Sequence, residues 1–160
     1  MSSSMIRVAN RPNVDTQGFV NGVLKKVILG EGMRREKKGR NIDETKYDRY
    51  EFYFEVEGKS GDPIEIRLYT GTVLNDDPIQ ILGKSRGKKE QKNLYNRFTM
   101  VCTTLKLLSK DDLENMNLSD AQLDDIAKSL KEIHDLPVRV KVGKNSDGFY
   151  AIDPDSLTLV

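Results

Sequence analysis

"RYEFYFEVEG", residues 49 to 58, alternates large apolar residues with charged ones. Tyr50, Phe52, Phe54 and Val56 fall on one face of an extended chain, and Glu51, Tyr53, Glu55 and Glu57 on the other. A sustained period of two marks a half-buried β-strand. The next segment, GKSGDP at 58 to 63, is a turn by composition. A second alternating run follows, with Ile64, Ile66 and Leu68 on one face and Glu65, Arg67 and Tyr69 on the other. The two runs predict an antiparallel hairpin. Its outer face carries Tyr53, Tyr69 and Arg67.

Working outward, Val23, Leu24, Val27, Ile28 and Leu29 lie between Gly22 and Gly30, and their β-branched content favours a strand. A long polar loop is expected from about Arg35 to Lys46. Past the hairpin, Leu94, Phe98, Val101, Leu105 and Leu108 recur at helical spacing. A second helix starts at Ser119, which forms a capping-box pattern with Gln122 and a staple between Leu118 and Leu123, and Pro137 is expected to stop it. Val138, Val140 and Val142 then alternate with Arg139 and Lys141. KNSDG, 144 to 148, is a hairpin turn, FYAI a further strand, and SLTLV closes the chain. Short antiparallel strands must hide their edges, and closure into a small barrel does so. The expected fold is mainly β with helices (α+β): a five-stranded antiparallel OB-like barrel with a helical insertion between the third and fourth strands, although other small barrels and half-open sheets fit the same pattern. Residues 1–18 read as a flexible N-terminal arm, with a short strand at Ile6 to Ala9, and 19–160 as a single OB-like domain.

With 160 residues, 37% hydrophobic and 32% charged, the chain suits one soluble domain. The start, MSSSMIRVANRPN, lacks the apolar core of a secretory signal, and no run is long enough to span a bilayer, so a cytoplasmic location and no membrane partner are expected. The single cysteine, Cys102, rules out an intrachain disulfide framework and fits a reducing compartment. The net charge of +1 hides local asymmetry. Arg34, Arg35, Lys37, Lys38, Arg40 and Lys46 face three acids within 34 to 46; Lys84, Arg86, Lys88, Lys89, Lys92 and Arg97 face one within 84 to 97. From Ser109 to Asp135, eight acids face three lysines.

Enzyme motifs fail on inspection. Gly83-Lys84-Ser85-Arg86-Gly87 matches G-x-S-x-G, but that elbow needs a parallel sheet and a triad histidine. The only histidine, His134, ends an acidic helix. A phosphate-cradling loop would need glycine where Pro78 stands. One His and one Cys do not build a zinc site, and Asn145 and Asp147 before Gly148 lack the rest of a calcium loop. Cys102 near an apolar stripe reads as a buried structural thiol. No catalytic activity, metal or cofactor is expected.

The basic clusters carry the sharper signal. Charge runs are usually solvated faces, and Glu51, Glu55, Glu57 and Glu65 put negative charge on the same outer face. A single strand of nucleic acid, however, needs a track of Lys and Arg beside aromatic platforms. Arg34, Arg35, Lys37, Lys38 and Arg40 in one loop, Lys84, Arg86, Lys88 and Lys89 in another, and Tyr53, Arg67 and Tyr69 between them supply that combination, with Tyr47 and Tyr95 bordering the loops.

YEFYFEV (50 to 56), IEIRLYTGTVL (64 to 74), the helical region 94 to 133 and LPVRVKVGKNSDGFYAI (136 to 152) together resemble, in layout, OB-fold single-stranded DNA-binding proteins of the bacteriophage and mobile-element type. The resemblance spans about residues 20 to 160 and is one of pattern, without a diagnostic motif. It implies sequence-tolerant binding of single strands in DNA replication or recombination. The chain departs from the bacterial housekeeping type: it has no tryptophan and no Gly/Pro-rich tail ending in acids. Stacking is left to Tyr and Phe. Single-stranded DNA is the expected partner and RNA a second candidate, because stacking alone does not distinguish them. The alternative is a protein-interaction or assembly component without nucleic-acid activity, whose acidic helix at 119–135 docks a basic protein partner or the basic loops of another copy in a homo-oligomer.

Overall fold

A computed structural model describes residues 9–74, 94–115 and 117–160, with the backbone alone at 94–96. The strands are β1 (Phe19–Lys38), β2 (Asn41–Val56), β3 (Ile64–Thr70), β4 (His134–Lys144), β5 (Tyr150–Ile152) and β6 (Thr158–Leu159). Among the described residues three helices lie between β3 and β4: α1 (Leu94–Thr104), α2 (Lys110–Asn115) and α3 (Asp120–Glu132). All the strand pairs are antiparallel. The order is β3-β2-β1-β4-β5, with β6 paired to β4. The sheet is not closed into a barrel. Its two ends, β3 and β5, come into contact, but among the described residues no ladder joins them.

The alternation in the opening stretch decides which face is buried. Tyr50, Phe52, Phe54 and Val56 are buried together with Ile66 and Leu68 of β3 and Val138, Val140 and Val142 of β4. The helices cover this face with Phe98, Val101 and Cys102 of α1 and Ile126 and Leu130 of α3. The Tyr50 and Phe98 rings stack with centres 5.1 Å apart. Each fully buried side chain of this size contributes about 1.5–3 kcal/mol of transfer free energy. Burial pushes the Cys102 thiol up to about 12, so at neutral pH it is an inert core group.

Local chemistry sets the helix ends. Ser119 and Gln122 close both halves of the capping box. The Thr103 and Thr104 hydroxyls donate to the carbonyls of Thr99 and Val101, and α1 ends there. Helix α3 stops at Glu132, five residues short of Pro137, which sits inside β4 opposite Val23.

The long loop expected over 35 to 46 is absent. Strands β1 and β2 stay paired as far as Lys38 and Asn41, and only Gly39 and Arg40 form the turn. Gly39 has φ +62, which glycine adopts freely as the first central residue of a tight hairpin turn. Strand β1 pairs with β4 only as far as Lys26, and β2 with β3 only from Tyr50. Residues 30 to 49 therefore form a two-stranded ribbon beyond the sheet, roughly 30 Å long at a strand's rise per residue.

Of the arm expected over 1–18, residues 1–8, with most of the Ile6 to Ala9 strand, lie outside the described residues. Residues 10 to 15 are fastened to the domain. Asn13 N–H donates to the Glu57 carbonyl, Lys59 N–H to the Arg11 carbonyl, and Asp15 pairs with Arg139. Among the described residues no helix is long and apolar enough to cross a membrane.

Candidate nucleic-acid interface

Register assembles the outer face. Strand β2 runs against β3 without a break from Tyr50↔Thr70 to Val56↔Ile64, so Tyr53 and Tyr69 do share one face, with Arg67 directly opposite Tyr53. The bulge in this part of the sheet lies in β1, between Leu24 and Lys26. It lets Leu24 and Val27 both reach the core and turns Lys26 outward opposite Tyr53.

The result is a lattice of cations and rings. Lys26 from β1 and Arg67 from β3 lie over Tyr53, 4.8 and 4.7 Å from its centre. The Arg49 guanidinium lies 3.9 Å from the centre of Tyr69. Arg34 lies 5.9 Å from Tyr47, whose ring covers Gly32, where a Cβ would meet it at 2.4 Å. Such contacts hold guanidinium planes in fixed positions.

The acids of this face are largely engaged. Glu51, only 8% exposed, accepts from Arg49 Nε at 2.9 Å and from the Tyr53 hydroxyl at 3.0 Å. Burial pushes its carboxyl up, but those two hydrogen bonds and the nearby Arg49 and Arg67 charges outweigh it and leave the group below its ordinary value. The Tyr53 hydroxyl is raised, first by burial and then by its bond to Glu51. Arg67 donates to Glu65 at 2.9 Å, and Lys25 lies 3.9 Å from Glu55.

Beyond Tyr69 the face opens into a cleft along the seam between β3 and β5. Arg67, Tyr69, Arg97, Phe149 and Tyr150 line it, and so do Asp153 and Asp155. Arg97 Nη1 lies 3.5 Å from the Tyr69 carbonyl. Asn145 Oδ1 accepts from the N–H groups of Asp147 and Phe149, and Gly148 has φ +84; this turn holds Phe149 outward, 71% exposed. Lys144 lies 5.4 Å from the Tyr150 ring centre.

The basic residues expected in the first loop sit on the ribbon and divide between its faces. Arg34 and Lys38 share the face of Tyr53, Arg35 and Lys37 point to the other side, and Arg40 is in the turn. Arg35 pairs with Glu44 at 3.2 Å and Lys38 with Asp43 at 3.0 Å. Lys84, Arg86, Lys88 and Lys89 lie outside the described residues. Sequence reasoning passed over Lys26, Arg49, Phe149 and Tyr150 as site residues. The Asp-Gly turn signal before Phe149 could have flagged it as a displayed aromatic. Among the described residues no three His, Cys, Asp or Glu side chains converge in a way that could hold a metal ion.

A scan against protein-family models finds no match, and a search of curated proteins likewise finds none.

Proposed function

We propose that the chain is an OB-like module that binds single-stranded nucleic acid across the outer face of β2 and β3 and into the seam between β3 and β5. The OB-like reading is supported by the strand order, by the contact between β3 and β5, and by the helices between β3 and β4. The binding reading rests on one observation: a fixed lattice of Arg49, Arg67, Tyr53 and Tyr69 runs into a cleft that displays Phe149. Arg49, Arg67, Lys26 and Arg34 would neutralise phosphates. Phe149 and Tyr150 would stack bases without regard to sequence. Tyr53 changes role in this account. Cations from the strands on either side already lie over its ring, so it orients them and offers no open platform. Single-stranded DNA is the first candidate partner, RNA the second, and DNA replication or recombination the setting that the resemblance implies.

The test is a fluorescence-anisotropy titration with a labelled single strand. Phe149→Ala should weaken binding by about 1–3 kcal/mol, the worth of one stacked base. Tyr53→Phe, which keeps the ring, should change it far less. Wild-type protein that fails to bind at low salt would sink the proposal. A protein-interaction role is the second reading, favoured by an apolar groove beside the acidic helix α3.

A further inference from the structure

The helical side of the molecule carries an apolar groove lined by Tyr50, Val73, Phe98, Leu118, Leu123 and Ala127. Val73 and Leu123 are exposed in it. Its α3 wall has an acidic rim, because Asp120 and Asp124 stand three residues before Leu123 and Ala127 and so adjoin them on the helix surface.

The ribbon carries the complementary surface. Strand register puts Met33, Arg35, Lys37, Ile42 and Lys46 on the same side as Tyr50, together with Glu31, Glu44 and Asp48 nearer the root and along β2. Ile42 is 62% exposed and Met33 45%. Leu29, opposite Tyr50, is half exposed and begins this apolar line at the edge of the groove itself. Groove and apolar ribbon side thus look the same way, with the groove at the ribbon's root. The ribbon leads away from Tyr50, so its own groove is out of reach. A copy related by a two-fold axis meets both requirements: each tip enters the other's groove, and the contact closes on itself.

We propose that two copies of this chain pair by exchanging ribbons, with Ile42 and Met33 of each seated in the apolar groove of the other and Arg35 and Lys37 against Asp120 and Asp124. The Arg35–Glu44 pair is exposed, so exchanging that partner costs little. This pairing stands independently of the nucleic-acid reading.

Sedimentation velocity on the full chain across the micromolar range tests it. Wild type should be a dimer that loosens with salt. Ile42→Asp at the tip and Leu123→Asp in the groove, both at exposed positions, should each weaken the dimer at least about tenfold. The two variants mixed should form a dimer tighter than either alone, because one tip and one groove remain intact. Circular dichroism checks folding, and Met33→Asp with Val73→Asp is the substitute pair if either variant loses its spectrum. A wild-type monomer throughout would overturn the proposal. So would a dimer that only one substitution weakens, or variants that fail to complement.

Discussion

Glu51 shows how much of the outer face hangs on single residues. Its carboxylate joins Arg49 to Tyr53, and Arg49 in turn covers Tyr69. Glu51→Ala leaves a half-buried guanidinium without this partner and should cost about 1–3 kcal/mol in urea unfolding at neutral pH. The acid dependence follows from the depressed carboxyl. Its contribution is complete above the unfolded-state value of about 4.3 and is lost as pH falls through the lower folded-state value. Glu51→Gln should therefore flatten the loss of stability below about pH 4.3, and unfolding curves at pH 7 and pH 3 for both proteins check it. Tyr53, Tyr69 and Arg67 were legible in the sequence because they sit at odd positions of two alternating runs. Lys26 was not, because the bulge beside it shifts the register by one. Arg49 was not, because it stands one place before the apolar run begins.

At the scale of elements, strands with one buried face announced themselves. Phe52, Phe54, Val138 and Val140 alternate because one side meets the helices. The ribbon was read as a loop for the same physical reason. Neither of its faces is buried beyond Tyr47, so no hydrophobic period exists to be seen, and ladder hydrogen bonds with the exposed cross-strand pairs Arg35–Glu44 and Lys38–Asp43 hold residues 33 to 46 extended. Barrel closure was inferred from the need to hide edges. Here the helices cover the core face, and among the described residues β3 and β5 touch without pairing. The β2–β3 turn offers a sharp test of element geometry. A Cβ on Gly58 would lie 2.1 Å from the Asp62 carbonyl oxygen and 2.5 Å from Asn10 Oδ1. Gly58→Ala should lower stability by roughly 2 kcal/mol or more, read as a fall in thermal midpoint, since backbone has to shift to admit the methyl group. Gly61→Ala, with open space but φ +95, should cost about 1 kcal/mol.

At the scale of the whole molecule, a near-neutral chain mixes both signs on its outer face, where Lys26, Arg34, Arg49 and Arg67 lie over rings beside Glu51, Glu55 and Glu65. The helices gather acids: Asp111, Asp112, Asp120, Asp124 and Asp125 are all on α2 and α3. The asymmetry was visible in sequence as blocks of like charge; that one block lies along a ribbon became clear only from the strand pairing. The most direct measurement is a paired titration of a labelled single strand and its duplex over a salt series. The account predicts tighter binding of the single strand, with log affinity falling linearly in log salt by about 0.7 per phosphate neutralised, and a shallower slope for Arg49→Gln and Arg67→Gln. Equal affinity for both forms, or a slope that neither substitution moves, would contradict it.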